Sequence, residues 1–204
     1  MRDHRPHVRP DPAFPIRLVA LDIDGTLVGP DSRLSPRIRA AVAEAIGRGV
    51  RVSLATGRRP VAAVGFASQL NLSEPIIAHQ GAVIRAMPRR REVIRSEVVV
   101  QRGRVGRLMY HKPMEPAVIR DAIAWCLARG LHAHVNNLEE ILAAADDPRF
   151  EDYSAYYGTD ATFVPDLAAV VDRPMTKVVS SGEPPVPMQL IGEARRQFAG
   201  RASP

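Results

Sequence analysis

Three short apolar runs constrain this chain more than any other feature. "IRLVALD" at 16–22, "VRVSLATG" at 50–57 and "EPIIAHQGAVI" at 74–84 are rich in branched aliphatic residues; the first two end on a polar or small residue, and the third runs from a strand into a turn. Such runs read as buried strands. Between the first two lies "SPRIRAAVAEAIGRG" at 35–49, with Ser35 suited to an N-cap, Pro36 to the first helical turn and Gly49 to the stop. Pro60–Leu70 reads as a second helix. Strand, helix, strand, helix, strand is the order of a parallel α/β sheet.

After Ile84 the rhythm changes. "AVIRAMPRRREVIRSEVVV" suggests two strands around a charged turn, which gives the Arg89–Arg91 cluster a solvated role. "EPAVIRDAIAWCLARG" is helical with Gly130 as its stop, "LHAHV" and "MTKVVSS" are strands, and "PMQLIGEARRQF" is a helix. The pattern over 138–157 is mixed. This half reads as an α+β unit. With 204 residues, the chain suits one domain, or one domain carrying a sizeable insertion. The basic, proline-rich first 15 residues read as a disordered tail rather than a secretory signal.

The net charge of +6 raises the question of a nucleic-acid partner. The arginines are spread among acids, and no aromatic interleaves with Arg89–Arg91, so the expectation is no nucleic-acid partner. No apolar run is long enough to span a bilayer, and the single cysteine, Cys126, permits no internal disulfide. The expected location is therefore the cytoplasm. Cys126 lies in an amphipathic segment, as a small buried hydrophobe would.

The first run closes on "DIDGT". Side chains two apart on a strand share a side, so Asp22 and Asp24 face one site while Ile23 turns inward. Ligands of open α/β sheets gather beyond the carboxyl ends of the strands. Two neighbouring carboxylates repel and need a cation or proton between them. Mg2+ suits hard oxygen ligands and pairs them with phosphate, which makes Asp22 and Asp24 the candidate metal ligands. Gly25 permits a sharp turn and Thr26 orients it. A calcium loop is excluded, because "GTLVGPDSRLS" supplies only Asp31 as a further acid. The second run ends in Thr56, Gly57 and Arg58: a hydroxyl, backbone N–H groups and a guanidinium suited to phosphate oxygens.

"LVALDIDGTL", "SLATGRRP" and "PIIAHQGAVI", in this order, resemble the haloacid dehalogenase superfamily, specifically its Cof-type phosphatases with a type IIB cap. The resemblance implies an α/β fold, a Rossmann-like parallel core over 16–86 with an α+β cap inserted over 87–204. It implies a magnesium-dependent phosphomonoester hydrolase acting on small phosphorylated metabolites. Asp22 would be the nucleophile that forms an aspartyl-phosphate, and Asp24 the general acid and then base. Thr56 would bind the phosphoryl group. Gln80 stands where the family usually has Asn and would contact substrate. His79 beside it reads as structural. His111, His132 and His134 fall in the cap without further metal ligands at suitable spacing.

Two further motifs of the family have no counterpart. One is a lysine that shields the nucleophile, the other an acidic pair in a G-D-x-x-N-D context. No aspartate follows Asp172, and Glu183 and Glu193 are the only later acids. Lys177 in "MTKVVSS" corresponds to a cap strand, and Lys112 to an earlier cap segment. The expectation is thus a C-terminally truncated member with an incomplete core, an exposed apolar sheet edge and weak or no activity alone. The alternatives are an inactive remnant, a subunit needing a complementary partner, or, further off, a basic nucleic-acid-binding module.

Overall fold

The computed structural model describes residues 15–88, 105–138, 140–145, 147, 161–181 and 188–202. Residues 1–14 of the expected tail, Arg89–Arg91 and most of the mixed segment over 138–157 lie outside the described residues.

β1 (Leu18–Leu21) pairs in parallel with β2 (Arg51–Leu54), from Leu18 opposite Arg51 to Leu21 opposite Leu54. The ladder passes to β3 (Ile76–Ala78) through a parallel bridge between Ala55 and Ile77. α1 (Pro36–Gly47) and α2 (Pro60–Gln69) make the two crossovers that parallel neighbours require. Ser35 caps α1, its Oγ accepting the Ile38 N–H at 3.2 Å, and Gly49 follows the helix at φ +83°, in the left-handed region that glycine enters without strain. Ile23, Leu54, Ile76 and Val83 lie at the centre of this core, each at most 1% exposed.

Two expectations are corrected here. β1 is four residues long rather than seven, and it is not buried. Leu18 is 56% exposed and Ile16 54%. Among the described residues β1 has a ladder partner on one edge only, so alternate side chains face solvent.

Beyond β3 the chain turns back. A short 3-10 turn at His79–Gly81 leads into β4 (Val83–Arg85), which pairs antiparallel with β3. β5 (Leu108–His111) then pairs antiparallel with β4. A second core follows, built on the mixed sheet β8–β7–β6–β9. Its strands are β6 (His132–Asn136), β7 (Ile141–Ala144), β8 (Thr162–Val164) and β9 (Lys177–Ser181). α3 (Pro116–Leu127) packs on it through Ile119, Ile123 and Cys126, and α4 (Gln189–Gln197) adds Leu190. Burial pushes the Cys126 thiol pKa up, away from the reactive thiolate. Met114 and Met175 join in an antiparallel bridge with N–H···O distances of 2.8 and 3.2 Å. No helix among the described residues is long and apolar enough to cross a membrane.

Candidate active site

The backbone fixes the aspartates before any side chain acts. The Ile23 carbonyl accepts the N–H groups of Thr26, Leu27 and Val28, and the Gly25 N–H reaches Val28 O at 2.9 Å. That knot requires φ +73° at Gly25. Ile23 is fully buried, and Asp22, Asp24 and Thr26 are exposed around it. The two carboxylates thus share the solvent side at the carboxyl end of β1.

On the neighbouring strand the Ala55 N–H donates to Leu21 O at 2.9 Å and the Thr56 N–H to Ile77 O at 3.0 Å. These bonds set the Thr56–Arg58 loop beside the aspartates. Thr56 is 4% exposed, and its Oγ1 accepts the Arg58 N–H at 3.2 Å. Arg58 then crosses to the first strand: its Nε and Nη2 donate to the two oxygens of Asp24 at 2.8 and 2.6 Å. The hydrogen bond and charge of Arg58 hold the Asp24 carboxyl below the usual carboxylate range, against the smaller upward push of burial. The Arg58 guanidinium also lies over the Phe66 ring, 5.1 Å from its centroid. α2 starts directly behind this loop and no side chain caps it, so its positive end faces the same region.

His79 and Gln80 both adopt left-handed backbone angles, φ 48° and 52°, which swing the Gln80 side chain over the loop. A Cβ on Gly57 would stand 3.2 Å from Gln80 Nε2, so glycine there leaves room for the amide. His79 is 2% exposed, and neither ring nitrogen has a hydrogen-bond partner among the described residues. Its pKa falls to about 3, chiefly through burial and then through Lys177, Arg59 and His111.

The structure brings Asp24 and Arg58 into contact, with Asp22, Thr56, Gly57 and Gln80 around them. It also adds a residue that the sequence reading left in a cap strand. Lys177 Nζ donates to the Gly57 carbonyl at 3.2 Å, across 120 positions of sequence. His111 and His134 are not at the aspartates: His111 Nε2 meets Thr176 Oγ1 at 3.0 Å, and His134 is buried in the β6 ladder.

Residues 19–203 match the family described as haloacid dehalogenase-like hydrolase. The chain is 38% identical over 69 residues to the 5-amino-6-(5-phospho-D-ribitylamino)uracil phosphatase YcsE of Bacillus subtilis, covering 34% of this chain and 28% of that protein. A crystallised haloacid dehalogenase-like hydrolase of Bacteroides thetaiotaomicron superposes with a TM-score of 0.66 at 19% identity, over 92% of this chain and 66% of that one. The HAD subclass IIB sugar phosphatase BT4131 gives 0.61 at 17% identity, over 80% and 58%. The chain therefore spans less than two thirds of the length of each of these relatives. A sheet that sets a carboxylate pair beside a threonine loop, a matching fold and a match over nearly the whole sequence agree, and this chain belongs to the haloacid dehalogenase-like hydrolase family.

Proposed function

We propose that the chain carries the nucleophile and phosphate-binding half of a phosphomonoester hydrolase for small phosphorylated metabolites. The observation that supports this reading is the meeting of Asp22, Asp24 and the Thr56–Arg58 loop at the carboxyl ends of two paired parallel strands. Residues 16–86 would form the core portion and 87–204 the cap.

Asp22, exposed at the strand end, attacks phosphorus. A bond forms between its carboxylate oxygen and phosphorus while the bond to the leaving oxygen breaks. Thr56, the N–H groups of its loop, Gly25 and Thr26 orient the phosphoryl oxygens, and Arg58 neutralises their charge. Asp24 gives a proton to the leaving alkoxide and later takes one from the water that hydrolyses the aspartyl-phosphate. In the structure Arg58 keeps Asp24 ionised, which opposes the acid role. A bound phosphate group offers Arg58 a stronger acceptor. Drawing the guanidinium off restores proton affinity to Asp24 when the leaving group needs it.

Mg2+ fits these residues in a minimal way. Asp22 and Asp24 would hold it, and among the described residues no cluster of three acidic, histidine or cysteine side chains forms. Magnesium accepts such sites, because it retains waters and takes substrate phosphate as a ligand. When bound, it supplies neutralisation of the phosphoryl charge.

The test is hydrolysis of p-nitrophenyl phosphate with magnesium, the full chain beside Asp22→Asn. Loss of the nucleophile should lower the rate by about a thousandfold or more, as for covalent catalysts generally. Equal rates in the two proteins overturn the catalytic reading for this polypeptide. The second reading, a chain that needs a complementary partner, draws support from the edge of β1 that has no strand partner among the described residues and from the sparse acidic set there. It predicts a weak rate for the chain alone.

A further inference from the structure

Consecutive carbonyls of the 56–58 loop are each held by a donor, and the donors come from different parts of the molecule. Thr56 O accepts the Gln80 N–H at 3.1 Å, and Arg58 O accepts the His79 N–H at 3.0 Å, both from the turn that follows β3. The Gly57 carbonyl between them accepts from Lys177 Nζ at 3.2 Å. The outer two bonds are therefore local to the first core, and the middle one arrives from β9 in the second.

The backbone that carries Lys177 is itself fixed. Lys177 stands opposite Asn136 in the β6–β9 ladder. The preceding residue, Thr176, gives its N–H to Asn136 O at 2.8 Å, and its Oγ1 meets His111 Nε2 at 3.0 Å. Just before it, Met175 forms the bridge to Met114. The ammonium thus reaches the loop from a braced root, and its position follows the seating of the second core. Across a trans peptide the carbonyl and the N–H point to opposite sides. Anchoring Gly57 O therefore sets the direction of the Arg58 N–H, which meets Thr56 Oγ1 at 3.2 Å. An ammonium on the carbonyl also polarises that peptide and strengthens its N–H as a donor.

We propose that Lys177 is a positioning residue for phosphoryl transfer: through the Gly57 carbonyl it fixes the 57–58 peptide so that the Arg58 N–H stays beside the Thr56 hydroxyl, ready for a phosphoryl oxygen. The proposal rests on the phosphatase reading and adds a residue of the second core to its phosphate grip. In this role Lys177 acts on the loop and not on the leaving group, so it governs affinity for the phosphoryl group itself. The grip is complete only while the second core is seated on the first.

Calorimetric binding of inorganic phosphate to the full chain, with magnesium present, provides the test. Lys177→Met should weaken phosphate about tenfold, the scale of one charge-assisted hydrogen bond. Lys177→Arg keeps a cationic donor and should stay within about threefold of the unsubstituted chain. Without phosphate, the Arg58 amide resonance should move in Lys177→Met, a local change that a general loss of stability does not produce. Lys177→Gln, whose side chain is too short to reach the carbonyl, replaces the methionine variant if that one does not fold, with the same expectations. Phosphate affinity within about twofold of the unsubstituted chain in Lys177→Met, a loss that Lys177→Arg shares in full, or an Arg58 resonance that stays in place overturns the proposal. If Thr56→Val weakens phosphate while Lys177→Met does not, the phosphatase reading stands and the role of Lys177 falls. If the unsubstituted chain binds no phosphate, both fall.

Discussion

Folding restrains the protonation of His79. Its folded pKa of about 3 lies below the ordinary 6.5, so the unfolded chain binds the extra proton between those values. Stability is unaffected above pH 6.5 and falls as pH drops through that window, by about 1.4 kcal/mol per pH unit at the steepest. Urea titrations at pH 7, 6 and 5 should show this decline, and His79→Asn should flatten it. Asparagine tolerates the left-handed angle and does not titrate there. A slope unchanged in the variant rules out His79 as the source. Asp24 acts in the same direction but at lower pH, where its lowered carboxyl begins to protonate. Being half exposed, its pair with Arg58 contributes under about 1 kcal/mol. At this scale the sequence was most legible where contacts are local. Asp22 and Asp24 are exposed and Ile23 is buried, as the alternating pattern suggested, but β1 ends at Leu21 and all three lie beyond it, at a turn closed on the Ile23 carbonyl; Thr56 with Arg58 is a turn two residues wide. The approach of Lys177 to Gly57 was not legible, because it depends on how the second core docks and no spacing rule links positions so distant.

The elements that hold the site were legible for a related reason. α1 announces itself with Ser35, Pro36 and Gly49, and the structure uses each as expected. Ser35→Ala removes the acceptor for the Ile38 N–H and should cost about 1 kcal/mol, read as a lower urea midpoint with the slope unchanged. A shift below about 0.3 kcal/mol would show that water replaces the cap without loss. β5 and β8 were missed. "LMYH" and "TFV" are only four and three residues long, and each relies on a partner strand rather than on an apolar pattern of its own. The turn after β3 was legible in "EPIIAHQGAVI", but its backbone geometry at His79–Gly81 was not. It depends on two consecutive left-handed non-glycine residues, an arrangement that tertiary contacts impose and propensity does not suggest.

For the whole molecule the decisive feature is the asymmetry of the first sheet. β2 is covered on both edges, by β1 and then β3, while β1 has one edge without a partner among the described residues and an exposed Leu18. Such edges recruit other strands. The chain alone should therefore self-associate as its concentration rises, and Leu18→Lys should lower the apparent mass in light scattering at equal concentration. A mass that stays monomeric for the unsubstituted chain removes this expectation. The run of apolar residues was visible in the sequence. Its exposure was expected only through the family's missing motifs, since composition does not reveal which edge lacks a neighbour.

Gly57 meanwhile binds two properties into one. Its missing side chain is the space in which the Gln80 amide lies, and its carbonyl is the anchor for Lys177. An engineer who alters that single position to widen tolerance for leaving groups would displace the amide and disturb the ammonium's tether together. One backbone position thereby joins the first sheet, the reversal after β3 and the second core.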